Sequence, residues 1–186
     1  MMKEQLQIRK AVRPDIEVIL RLNHATKTSR VWQMQQSEEN GELTTRFIET
    51  QLPREMRIPY HHSPEALEEK WNELSLILVG CIDQTPIGYI TLDSCFSSDL
   101  ILIRDLVVHE VWRRQGVATR LIETAINWAK ERGYERLLLE MSSKNFPAVS
   151  FAKKSGFEYS GFNDNYFANR DIAIFFTRDL RIRLRG

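Results

Sequence analysis

The sequence predicts a mixed α/β (α+β) domain built on one sheet, and three observations carry that expectation. Alternating and short apolar runs recur between segments whose apolar residues fall at helical spacing. The length of 186 residues suits one domain, taken here as residues 1–186. No internal repeat or flexible linker divides the chain, so its elements are expected to share one layered core.

Leu6, Ile8, Lys10 and Val12 alternate as a first strand, and RPDIEVILRLN follows as a helix with Pro14 in its first turn. From His24 to Leu74 the patterning weakens. LTTRFIETQL and PEALEEKWNEL are each expected to form a short helix there. LSLILVGCI, the turn residues of IDQTPIG and the alternation of IGYITLDSCF then read as a hairpin. LILIRDLVV is apolar on both faces, as a central strand covered on both sides would be. VATRLIETAINWAKERG places Val117, Leu121, Ala125 and Trp128 on one face, with Gly133 beyond the last turn. A strand in RLLLEM, a helix in PAVSFAKKSG with Pro147 near its start, and strands around FEYSGF and DIAIFFTRDL complete the order β-α-α-β-β-β-α-β-α-β-β.

Composition narrows the function classes. Lys plus Arg is 26 and Asp plus Glu is 25, a net charge of +1, so the broad positive field of nucleic-acid and anionic-membrane binders is missing. Apolar residues at 42% and charged residues at 27% suit a globular chain with a real core. The wholly apolar stretch Leu76 to Ile82 is far short of a bilayer span, and MMKEQLQIRK lacks the apolar region of a secretory signal. Cys81 and Cys95 have neither CxxC spacing nor nearby histidines, which suits buried thiols in the cytoplasm better than a metal site. The adjacent His61 and His62 read as a surface loop, and His109 as a structural residue at a strand end. In the tail, Arg178, Arg181, Arg183 and Arg185 read as an edge strand or a homodimer contact rather than an RNA-binding patch.

The stretch that carries chemistry is WRRQGVA, between the apolar strand ending at Val108 and the amphipathic helix starting near Val117. Gly116 and the small Ala118 permit a tight turn whose N–H groups point outward, and the helix adds its positive end. Arg113 and Arg114 supply local positive charge, so this turn is a candidate phosphate cradle.

WRRQGVA followed later by NFPAVSFAKKSGF resembles the GNAT superfamily of N-acetyltransferases through Arg113, Gly116, Ala118, Asn145, Ala148, Phe151, Lys154, Gly156 and Phe157. The resemblance implies a mostly antiparallel sheet with splayed central strands, helices on both faces, and acetyl-CoA as co-substrate with no metal. By that analogy the pyrophosphate lies on the amides of Arg114, Gln115, Gly116, Val117, Ala118 and Thr119, near Arg113. The main chain of Leu106, Val107 and Val108 holds the pantetheine arm, and Asn145 contacts it near the splay. The N–H of Val108 becomes the oxyanion donor.

Acetyl transfer to an amine needs a proton acceptor. Glu140 closes the apolar run Leu137 to Leu139, and a glutamate stands at this spacing from Asn145 in the similar acetyltransferases of ribosomal-protein N-termini. Asp105 is the second candidate base, with pairing to an arginine as its alternative. One departure from the family pattern is Ala152, where the family usually has a tyrosine that protonates the departing thiolate. Tyr166 in NDNYFANRDIAIF is the expected replacement, with Tyr159 behind it. The segment from GYITLD to SGFND is also similar to streptothricin acetyltransferases. The acceptor is therefore expected to be an amine-bearing small molecule or a peptide N-terminus. Ala152 also motivates a rival: a non-catalytic acyl-CoA-binding or sensing domain of the same fold.

Overall fold

The computed structural model describes residues 5–63, 65–94 and 97–181. In chain order these form β1 (Gln7–Lys10), α1 (Asp15–Leu20), β2 (Thr26–Glu39), β3 (Glu42–Ile58), α2 (Glu65–Glu69), β4 (Leu76–Ile82), β5 (Thr85–Ser94) and β6 (Leu100–Val108). A short 3-10 turn (Glu110–Trp112), α3 (Val117–Glu131), β7 (Arg136–Ser142), α4 (Phe146–Lys154), β8 (Glu158–Asn163) and β9 (Ala173–Asp179) follow. Seven strands make one sheet in the order β1-β4-β5-β6-β7-β9-β8, with β6 at its centre as its two-sided apolarity requires. Every neighbouring pair is antiparallel except β6 with β7.

Each face of the sheet has its own core. The buried stripe of α3 is Val117, Leu121, Ile122, Ala125, Ile126 and Ala129, and it packs with Val149 and Ala152 of α4 on one face. On the other, Ile19 near the end of α1, Leu22 and Leu67 of α2 cover Ile77, Val79, Tyr89 and Val107. Helices therefore lie on both faces, as expected.

The segment from His24 to Leu74 departs from the sequence expectation. LTTRFIETQL is not a helix: it lies in β3, which pairs with β2 as a separate two-stranded ribbon. Asn40 and Gly41 make the turn, both with positive φ (52° and 80°), the requirement of a two-residue hairpin loop. The ribbon is anchored by Trp32 and Phe47. Trp32 N–H donates to the Ser143 carbonyl at 2.9 Å, and the Phe47 ring lies 5.6 Å from Phe162 and 5.7 Å from Tyr159. PEALEEKWNEL does contain a helix, shortened to α2. Cys81 is buried, whereas Cys95 and the tail arginines Arg183 and Arg185 lie outside the described residues. Arg181 pairs with Asp179 and Glu135 just past β9, and the Arg178 guanidinium donates to the Ser155 carbonyl.

Candidate active site at the splay of the central strands

The parallel pair β6–β7 holds only from Leu100 opposite Arg136 to Ile103 opposite Leu139. Beyond that point the strands part, and a cleft of ≈ 480 Å³ opens between them, lined among others by Leu106, Val108, Gly116, Ala118, Glu140 and Asn145. A bulge sits at the same level: Leu92 of β5 faces Ile103, but Thr91 faces Asp105, so Arg104 is an extra residue in β6. One extra residue exchanges the two faces of a strand. Ile101 and Ile103 belong to the α3 side, whereas after the bulge Leu106 and Val108 do, and Val107 joins the opposite core. The bulge thereby turns Asp105 to the face opposite α3.

The β5–β6 ladder fixes which main-chain groups look into the cleft. His109 N–H donates to the Ile87 carbonyl at 2.8 Å, so His109 and Ile87 form a hydrogen-bonded pair in the register that sets Val107 opposite Tyr89. Antiparallel ladders alternate, so Val107 spends its N–H and C=O on β5, while both groups of Leu106 and the N–H of Val108 point toward the splay, the Val108 carbonyl being taken by Arg113. Val107 lines the cleft with its neighbours, but its main-chain groups are spent on β5 and are not offered to the pantetheine arm as expected. Leu106 and Val108 keep that edge.

Arg113 is committed elsewhere. Its Nε donates to the Val108 carbonyl at 2.9 Å, and its Nη2 to those of Asn23 at 2.7 Å and Ala25 at 3.1 Å. It acts as a strut tying the strand end to the segment before β2. Arg114 remains exposed at the cleft mouth with φ 64°, Gln115 donates to the Val111 carbonyl, and Gly116 has φ 87° at the N-cap of α3. A Cβ on Gly116 would meet nothing within 4 Å, so glycine is demanded there by φ and not by space. Gly116 at the N-cap has no side chain to bond the first amides of α3, so among the described residues those of Val117, Ala118 and Thr119 receive no N-cap side-chain bond. Positive φ at Arg114 and Gly116 bends the preceding amides toward the same concavity, which suits an anion. These observations fit a diphosphate at the turn and an extended amide-bearing arm along Leu106 and Val108.

Glu140 lines the cleft, and the exposed Tyr166 donates its Oη to Glu140 Oε2 at 2.8 Å. The Tyr166 ring is held edge-on by Phe167 and Phe175, and Phe175 faces Glu140 across the β7–β9 pair. The two residues expected to be catalytic are thus in contact, with the hydroxyl given to the carboxylate. Asn145 lines the cleft and caps α4, accepting from Ala148 N–H at 3.3 Å. Ala152 is fully buried among the α3-side core residues, and Tyr159 belongs to the aromatic group of Trp32, Phe47 and Phe176.

The acceptor side of the cleft corrects two expectations. His61 and His62 are not on a surface loop but line the cleft with His24, Tyr60 and Phe167. Asp105 is not paired with an arginine: buried at 6% exposure, it accepts from Tyr60 Oη, from Thr91 Oγ1 at 2.6 Å and from His62 Nδ1 at 3.1 Å. Burial pushes the Asp105 carboxyl up, but the hydrogen bonds from His62, Thr91 and Tyr60 outweigh it and hold the group below its ordinary value. Burial drives Tyr60 well above the ordinary tyrosine value, reinforced by the Asp105 charge. His61 stacks on Phe167 at 3.8 Å with Nε2 4.0 Å from Asp171, which Lys144 also engages; burial holds His61 below the ordinary histidine value. His109 is structural as expected, its ring accepting from Val111 N–H. The PYHH sequence was the one signal for this wall, and nothing in its spacing tied it to β6.

The model of the acetyltransferase (GNAT) family matches residues 45–157, from within β3 to the end of the α4 segment. The chain belongs to that family. A GNAT relative, a streptothricin acetyltransferase of Escherichia coli, is 32% identical over 131 residues, covering 70% of this chain and 69% of the relative. Among solved structures, a nourseothricin acetyltransferase superposes with TM-score 0.78 at 19% identity, covering 95% of this chain and 99% of the other. A putative streptothricin acetyltransferase from Bacillus anthracis, solved with acetyl coenzyme A, superposes with TM-score 0.72 at 24% identity over 94% of this chain and 99% of the other. The sheet order, the single parallel pair and the splay are thus those of the GNAT fold. Among the described residues no helix is long and apolar enough to cross a membrane.

Proposed function

We propose that this protein transfers the acetyl group of acetyl-CoA to a primary amine by direct attack, with a small streptothricin-like amine as acceptor class. The observation that carries the reading is the open edge of Leu106 and Val108 running from the Arg114–Thr119 turn to a carboxylate, Glu140, already oriented by Tyr166. The streptothricin relative supports the acceptor class.

Acetyl-CoA, when bound, supplies the electrophilic thioester carbonyl. The amides of Arg114, Gln115, Gly116, Val117, Ala118 and Thr119, with the Arg114 charge, hold its pyrophosphate. Leu106 and Val108 add its amide-bearing arm to β6 as a short strand, and Asn145 closes the other side of the cleft. Val107 contributes by packing β6 from below, and Arg113 by bracing the strand end. The N–H of Val108 donates where negative charge develops on the carbonyl oxygen. Glu140 accepts a proton from the attacking amine, and Tyr166 fixes the carboxylate that does so. Tyr166, with its hydroxyl engaged by Glu140, serves as a positioning residue in place of the expected thiolate acid.

The test has two arms. Acetyl-CoA should raise the melting temperature strongly while ADP does not. Incubation with streptothricin, a panel of small amines and peptide N-termini should give an acetylated product by mass. Tight acetyl-CoA binding with no product from any acceptor would favour the sensing domain instead.

A further inference from the structure

We infer that His62 is a second proton-accepting residue of this cleft, on the lip opposite Glu140, with Asp105 as the residue that positions it; the inference rests on the acetyltransferase reading above. On β7, Leu137, Leu139 and Met141 belong to the α3-side core, so Glu140 projects from the other face of the sheet. The bulge at Arg104 turns Asp105 to that same face of β6. The two carboxylates therefore flank the splay from one side. They differ in what they can accept. Both oxygens of Asp105 accept hydrogen bonds, from Tyr60 and His62 on Oδ1 and Thr91 on Oδ2, so protonating it would weaken three bonds already made. Tyr60 and His62 of that network both line the cleft, but the Tyr60 hydroxyl is spent on Asp105, whereas the imidazole has a second ring nitrogen beyond the one that meets Asp105.

An ionised carboxylate only accepts hydrogen bonds. Nδ1 of His62, 3.1 Å from Asp105 Oδ1, therefore carries a hydrogen, so the neutral form of the ring has its lone pair on Nε2. This is the orienting arrangement of a histidine base held by a buried carboxylate. The Tyr60 ring stands edge-on to His62 at 5.7 Å and closes it from one side. Asp105, Tyr60 and the neighbouring His61 are the titratable groups that face it, and only Asp105 is charged near neutrality. The step is a simple proton transfer. The acceptor ammonium gives its proton to Nε2, leaving a neutral amine with a free lone pair and an imidazolium stabilised by Asp105. The imidazolium then returns its proton to the departing thiolate, while Glu140 takes the second proton lost from nitrogen. One histidine thereby covers the proton that the tyrosine absent at Ala152 would have supplied.

The experiment pairs nitrogen NMR of the histidine rings with kinetics of His62→Gln and His62→Ala. The expected ring of His62 is hydrogenated on Nδ1 with a lone pair on Nε2. His62→Gln should bind acetyl-CoA with unchanged Kd, lose about 10²- to 10⁴-fold in kcat and lose the acidic limb of the pH profile. Free imidazole should restore part of the activity of His62→Ala. A ring hydrogenated on Nε2, or a wild-type pH profile in His62→Gln, would overturn the inference alone. Absence of thiol release by the wild-type protein with every amine would overturn the transferase reading and this inference with it.

Discussion

The hydroxyl of Tyr166 donates to Glu140 Oε2 at 2.8 Å, joining the segment between β8 and β9 to the strand that forms one lip of the splay. The bond orients one carboxylate oxygen and leaves the other for a substrate. Glu140→Gln should cut kcat by about 10²- to 10⁴-fold with little change in acetyl-CoA affinity. Tyr166→Phe removes the orienting bond, worth about 1.5–3 kcal/mol to a charged acceptor, and should cost roughly ten- to a hundredfold. Steady-state thiol release from both variants checks the order of the two effects.

Neighbouring arginines should separate binding from folding. Arg113 holds three main-chain carbonyls, so Arg113→Ala should destabilise the fold by about 1–3 kcal/mol, seen as a lower Tm without ligand. Arg114→Ala should leave Tm unchanged and raise the acetyl-CoA Kd about tenfold, the loss of one charge-assisted contact. Thermal melts and calorimetric titration distinguish them.

Gly116→Ala tests the cradle itself. Space for the methyl group exists, so the whole cost comes from φ 87°, about 1–2 kcal/mol if the turn keeps its shape. If the turn instead relaxes, the cost appears as weakened acetyl-CoA binding. Either way the combined loss of apo stability and binding energy should exceed about 1 kcal/mol, measured by melts with and without acetyl-CoA.

Much of this was legible in the sequence, for physical reasons that vary by element. WRRQGVA and the apolar strand before it announced themselves because a positive-φ glycine and a doubly covered strand leave local signatures. The β2–β3 ribbon did not. Both faces of its outer half are in water, so QMQQSEENGE shows no period, and Asn40–Gly41 was the one local clue to a hairpin. Glu140 and Tyr166 were found through resemblance, but that they bond to each other depends on the β7–β9 register. Asp105 stood out as a charge in an apolar strand. Its partners were hidden because the bulge at Arg104, which no residue type announces, decides which face it joins.

Acid should loosen the acceptor wall first. Burial holds His24 below the ordinary histidine value; its Nδ1 donates to the Leu22 carbonyl at 2.6 Å and its Nε2 accepts from Tyr89 Oη at 3.0 Å. A histidine depressed on folding contributes stability that is complete above the unfolded value of about 6.5 and is lost as pH falls below it. Asp105, also depressed, contributes stability that is complete above about 3.9 and lost below it. Tm should therefore fall in two stages on acidification. His61, depressed in the same way, shares the first stage, so His24→Gln should reduce that stage without abolishing it and leave the second, as read from melts across the pH range.

The most direct measurement of the central claim is the release of free CoA thiol from acetyl-CoA with streptothricin as acceptor, by the wild-type protein and by Glu140→Gln at matched acetyl-CoA occupancy. Rapid release by the wild type, coupled one-to-one to acetylated acceptor and slowed at least about a hundredfold in the variant, is the predicted result. Equal release by both proteins would contradict the role of Glu140, and no release by either, with acetyl-CoA bound, would contradict the transferase itself.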